Sequence, residues 1–172
     1  GVKRLEAIAY YYPQRHSQVM SALQDRITDL SSGIVNSDEN RESDQIELQT
    51  VIRVLGRRRF FYQNGEDDAI DFSGLVLRNL DMNGGHFEGV DFSQANMRYS
   101  SFCSANLQLS DFSLADLRNT DFSLANLQSV NFENADLSGA NLKGAFLYGA
   151  CFKSTDLTDA NLTGADLSEA SF

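Results

Sequence analysis

A chain of 172 residues with 42% hydrophobic and 22% charged residues has room for one domain, or for a short solenoid with an appended module. Its formal net charge of −10 argues against a nucleic-acid backbone or an anionic membrane surface as the main partner, because both reward clustered Lys and Arg. Two cysteines, Cys103 and Cys151, are too few for a secreted disulfide framework and lack metal-ligand spacing, so the default setting is reducing and cytoplasmic.

Residues 1–69 read as a helical module. Leu5, Ile8, Ala9 and Tyr12 share one helical face, Val19, Met20, Leu23, Ile27 and Leu30 a second, and Leu48, Val51, Ile52 and Leu55 a third. Pro13 separates the first two helices, and residues 31–43, with Gly33 and mixed charges, read as a flexible loop. The third helix, with Phe60 and Phe61, is expected to cap the remainder of the chain. Gly56 with Arg57, Arg58 and Arg59 reads as favourable charge at a helix C-terminus, an anion contact being the sharper alternative. No apolar run reaches the roughly 18 residues that cross a bilayer, and no signal peptide is legible. The chain opens on Gly1 and stops in mid-repeat at Phe172, as a piece of a longer protein would.

From Phe72 to Phe172 a large apolar residue stands at every fifth position without a gap, and a small or β-branched residue stands two before it. Leu75, Leu80 and Gly85 stretch the second rule. Between the two lies Asp or Asn in fifteen of twenty-one repeats, giving Ala-(Asp/Asn)-(Leu/Phe)-x-x. A period of five fits neither a helix nor a flat strand, but it fits a chain that turns a corner every five residues. This pattern over 70–172 resembles the pentapeptide-repeat family. The resemblance implies a right-handed quadrilateral parallel β-helix of about five coils, with the large residue and the small one facing inward and the other three outward. Counting by twenty then stacks Phe72, Phe92, Phe112, Phe132, Phe152 and Phe172 on one face.

The segments Arg4-Leu5-Glu6-Ala7-Ile8, Pro13-x-x-His16-x-x-Val19-Met20-x-x-Leu23 and Val54-Leu55-Gly56-Arg57-Arg58 resemble the helical part that precedes the repeats in bacterial members of the family. Membrane helices often lie upstream there, so the resemblance implies a membrane-tethered bacterial parent of which this chain is the cytoplasmic part.

Candidate sites are few. His16 and His86 read as surface residues without a catalytic partner, and the aspartates read as hydrogen-bonding groups on an outer wall that offers no pocket. Cys103 and Cys151 fall on opposite faces and cannot pair within one rod. No metal or cofactor is implied. Arg78, Arg98 and Arg118 are twenty apart and should stack about 4.8 Å from rung to rung, with Asp81 and Asp121 on the next face partly neutralising them; such a column could engage an acidic partner. Tyr99, Leu109, Leu114, Leu124, Phe146 and Tyr148 present apolar side chains outward as a contact region. Leu167 and Phe172 at the carboxyl end are expected to join two copies end to end.

Together these features read as a non-enzymatic protein-interaction scaffold, with neither nucleic acid nor membrane contacted by this chain itself. The alternative is DNA mimicry, since some acidic members of the family imitate duplex DNA and bind topoisomerases. Residues 70–172 carry thirteen acidic and five basic side chains over about 25 Å, roughly half the charge density of B-DNA.

Overall fold

The computed structural model describes residues 16–36, 42–56 and 70–172. Helix α1 spans His16–Asn36 and α2 spans Glu42–Gly56. Each buries one stripe, Leu23, Ile27 and Leu30 in α1, and Leu48, Val51, Ile52 and Leu55 in α2. Helix occupies both ends of the stretch 31–43 expected to be a loop. The reason is tertiary: Ser31, a loop former by composition, is buried and its Oγ accepts the Val76 N–H at 2.7 Å. The expected first helix, Pro13, Phe60, Phe61 and Arg57 to Arg59 lie outside the described residues.

From Asp71 onward the chain forms parallel bridges between residues twenty apart, Asp71 with Asp91, Val76 with Asn96, and so on to Cys151 with Ser171. Four five-residue units therefore complete one circuit, and four walls result. Wall 1 carries the Phe72 series, wall 2 the Leu77 series, wall 3 the Met82 series and wall 4 the Phe87 series. At the corners the N–H of the small residue bonds the carbonyl of the preceding large one, as Ala95 N to Phe92 O at 3.1 Å, except at Leu80, whose N–H goes to Ser100 Oγ at 3.1 Å. The residue two after each large one, from Gly74 to Glu169, has a positive φ near 60°, which gives these turns the left-handed third residue of the type II pattern.

The bore is filled. Phenylalanines of walls 1 and 3 interleave: Phe92 stacks on Phe112 at 4.7 Å and Phe102 on Phe122 at 5.2 Å, while Phe102 meets Phe112 edge-on at 5.9 Å. Both arrangements are favoured by the ring quadrupole. Where Ser or Thr replaces Ala inside, its hydroxyl donates to the carbonyl of the large residue one circuit earlier, as Ser110 Oγ to Phe87 O at 2.7 Å and Thr120 Oγ1 to Met97 O at 3.1 Å. Burial of the hydroxyl is thereby satisfied.

The first coil has no coil beneath it, and the helices take that place. Gln24 donates to Asp71 O on wall 1, Gln45 Nε2 to Arg78 O at 3.0 Å on wall 2, and Gln49 both gives to Asp81 O and takes from Asp81 N, at 2.6 and 2.7 Å, on wall 3. On wall 4, His86 N donates to Gly56 O at 2.7 Å. An edge that would otherwise expose a row of unpaired backbone groups is thus covered on every wall. The three departures from the small-residue rule lie at this junction. Leu75 and Leu80 pack with the helical core, and Gly85 makes room for Phe87, since a Cβ at 85 would sit 2.3 Å from its ring.

Candidate protein-interaction surface

The outward positions fall into fixed columns, and the repeat dictates what each does. Within a unit, four of the five backbone N–H groups bond the turn or a neighbouring coil; the fifth, one after the large residue, points outward. The Asp or Asn two before it accepts that N–H, as Asp91 Oδ1 from Ser93 N at 2.8 Å, Asp111 Oδ1 from Ser113 N at 2.8 Å and Asp121 Oδ1 from Ser123 N at 2.9 Å. The periodic acids are therefore turn-forming groups. Asp156 and Asp166 show the electrostatic consequence, their carboxyls held below the usual range by hydrogen bonds from Thr158 and Ser168.

The arginine column is engaged differently from the expectation. Arg98 Nε lies 2.8 Å from Asp116 Oδ2, Arg118 holds Asp116 through two bonds of 2.8 Å, and Arg118 Nε lies 3.3 Å from Asp136 Oδ2. The neutralising acids are thus Asp116 and Asp136 on wall 2 itself. Asp81 instead pairs with Arg53 of α2 at 3.5 Å, and Asp121 accepts from Asn141 Nδ2 at 3.0 Å. Burial pushes the Asp116 carboxyl up, against the pull of Arg98. Arg78 is exposed, and its carbonyl is held by Gln45.

The apolar candidates are all exposed: Tyr99 63%, Leu109 67%, Leu114 58%, Leu124 57%, Phe146 51% and Tyr148 50%. They do not form one region. Leu114 stands at the corner after wall 1, Tyr99 after wall 2, Leu124 after wall 3 and Leu109 after wall 4, because their offsets from one another are not multiples of twenty. Phe146 and Tyr148 both lie on wall 4, bounded by the corners of Leu124 and Leu109. Tyr99 and the three leucines also have φ between 58° and 61°, a conformation that costs a residue with a Cβ about 1–2 kcal/mol. Gly and Asn adopt it more readily, and they fill many of the other corners.

Cys103 and Cys151 are free and half-exposed on walls 3 and 1. His86 Nδ1 lies 3.9 Å from Glu88 Oε1, and His16 opens α1. Leu167 is half-buried, while Phe172 is 69% exposed and stacks on Phe152 at 5.3 Å. Among the described residues no group of three or more His, Cys, Asp or Glu could hold a metal ion, and no helix is long and apolar enough to cross a membrane. A shallow notch at the junction is lined by Arg53, Gly56, Asp81, Asn83 and Phe87.

Sequence reasoning missed the glutamines that cover the first coil and the pairing of Arg98 and Arg118 with Asp116. A signal for the second exists: Arg98 and Asp116 are eighteen apart, which places them on one wall and adjacent rungs.

No curated protein matches the chain. Among solved structures it is similar to HetL of the cyanobacterium Nostoc, a pentapeptide repeat protein involved in heterocyst differentiation regulation, with 27% identity over 58% of this chain and 48% of HetL, at a TM-score of 0.56. A pentapeptide repeat protein of the Arabidopsis thaliana thylakoid lumen is 40% identical over 52% of this chain and 66% of its own, at a TM-score of 0.42. The chain thus spans about half of HetL and just under two thirds of the plant protein. The family of pentapeptide repeats matches residues 70–108, 86–123, 120–159 and 135–172, the same stretch that carries the twenty-residue bridges. With the family comes the right-handed β-helix, and the chain belongs to the pentapeptide repeat family.

Proposed function

We propose that the rod is a non-enzymatic scaffold whose walls bind another protein. The observation that carries this reading is the filled bore. Phe92, Phe102, Phe112, Phe122 and Phe132 are fully buried against one another, so the interior has no room for a substrate or cofactor and recognition falls to the outer columns. In this proposal about five coils make a rigid body with helices on one end, located in the cytoplasm of a bacterium and held by an upstream membrane tether. It touches neither lipid nor nucleic acid itself. Its copies join through Leu167 and Phe172, which light scattering tests: a monomer mass at high concentration counts against the end contact alone.

The test of the scaffold is crosslinking capture with the immobilised chain. A protein retained at stoichiometric yield and displaced by free chain supports the proposal. Turnover on a substrate panel, with no protein retained, sinks it.

Mimicry of duplex DNA is the weaker reading. Arg98 and Arg118 neutralise acids on their own wall, and wall 4 carries no charge over three rungs, so the acidic side chains do not trace two continuous phosphate-like rows. Inhibition of gyrase supercoiling by micromolar protein would revive it.

A further inference from the structure

We infer that wall 4, between the corners of Leu109 and Leu124, is the docking surface, and that it takes a protein segment with an apolar centre and basic flanks. This rests on the scaffold reading and narrows it to one wall and one partner chemistry.

Across three successive rungs, residues 104–109, 124–129 and 144–149, wall 4 and its corners contain no Asp, Glu, Lys or Arg, in a chain of net charge −10. The lower two rungs present amides, with Gln108 Nε2 donating to Gln128 Oε1 at 2.9 Å. The third presents Phe146 and Tyr148. Three residues here go against the local preferences of the fold. Leu109 and Leu124 hold left-handed corners while exposed, gaining no burial that would offset the strain. Phe146 stands where fifteen of twenty-one repeats have Asp or Asn, and so withholds the acceptor that those residues offer the N–H two further on. Leu124 also leans toward the Phe146 rung, since a Cβ on Gly144 would sit 2.9 Å from Leu124 Cδ2. Departures of this kind concentrate where a surface is kept for binding.

Charge selects the occupant. Glu88 lies one rung below, Asp166 and Glu169 one rung above, and Asp91 and Asp111 just around the Leu109 corner; among the described residues Lys143, beside Gly144, is the one Lys or Arg adjoining the wall. An acidic rim around an uncharged apolar strip complements Lys or Arg flanking an apolar segment. A second copy fits poorly: it would set two acidic rims against each other. The strip is also one strand wide and about 14 Å tall, far short of the roughly 800 Å² per partner of a stable dimer.

The test compares the chain with a variant carrying Leu109→Asn, Leu124→Asn and Phe146→Asn, residues the repeat itself uses at equivalent positions. The probe is a fluorescent peptide of roughly 14 residues with leucine and lysine at helical spacing. The chain is expected to bind it, the variant to bind at least tenfold more weakly while melting at the same temperature or higher, and a leucine–glutamate peptide not to bind. Equal binding by the variant, or none by the chain, overturns the inference. A photo-crosslinking side chain at Gln128 on wall 4 or at Ser138 on wall 2 then separates the two proposals. Protein captured from Gln128 supports the wall assignment, and capture from Ser138 alone overturns it while leaving the scaffold standing. Capture from neither, with no peptide bound, overturns both.

Discussion

Phe112 lies in the middle of the bore, and replacing it with Ala measures how far the rod depends on that filling. Its ring is fully buried, stacked on Phe92 at 4.7 Å and Phe132 at 5.5 Å, and met edge-on by Phe102 at 5.9 Å and Phe122 at 5.6 Å. A buried Phe→Ala change costs about 3–5 kcal/mol, depending on how far the site collapses. Collapse is restricted here. Phe92 N bonds Asp111 O and Phe112 N bonds Asn131 O, each at 2.7 Å, so the rungs above and below are held apart by backbone. The loss should fall at the upper end, about 4–5 kcal/mol. Phe112→Leu restores most of the volume with a residue that walls 2 and 4 already use, and should cost about 1–1.5 kcal/mol. Phe172→Ala is the control: the ring is 69% exposed and should cost less than about 1 kcal/mol. Guanidinium unfolding followed by circular dichroism gives the three values. A loss below about 1 kcal/mol for Phe112→Ala, or one equal to that of Phe172→Ala, would refute the filled-bore reasoning.

Three other outcomes rest on particular contacts. Gly85→Ala should destabilise by about 1–3 kcal/mol, because the new methyl meets the Phe87 ring at 2.3 Å and Met82 O at 3.1 Å; thermal melting checks it. Leu114→Asn, at an exposed left-handed corner of another wall, should leave stability unchanged or raise it by about 1 kcal/mol, which the same melts measure. Ser168→Ala removes the largest cause holding the Asp166 carboxyl low, so its pKa should move up toward the ordinary value of about 3.9 in an NMR titration. A depressed carboxylate contributes stability above its unfolded pKa and loses that contribution as pH falls through the folded one, so chain and variant should differ above about pH 4 and converge in stronger acid.

The rod was legible because its packing is periodic in sequence. Phe92, Phe112 and Phe132 touch one another in space and are related by a fixed count, so the contact map can be read without coordinates. The same count predicts that the aspartates serve their own turns. What failed to show was whatever breaks the period. Ser31 reads as a loop residue until its bond to Val76 N is seen, and nothing in the spacing of Gln24, Gln45 and Gln49 announces that they reach the edge of the first coil. Gly85 is an unexplained exception until the helices are in place beside Phe87. The proposed interaction surface was half legible. The apolar outward residues stand out by type, yet only their assignment to walls separates Leu114 and Tyr99 from the pair that borders Phe146 and Tyr148.

Amide hydrogen exchange tests the five-residue coil most directly. Between Phe72 and Phe152 the N–H one after each large residue lacks a backbone acceptor, whereas its neighbours bond the turn or the adjacent coil. Exchange should therefore be faster at Ser93, Gln108, Ser113, Ser123 and Gln128, whose N–H groups are held only by an Asp or Asn side chain, than at the residues on either side, repeating every fifth position. Protection recurring at a helical period, or Phe92, Phe112 and Phe132 exchanging as fast as the residues after them, would contradict the fold on which the rest is built.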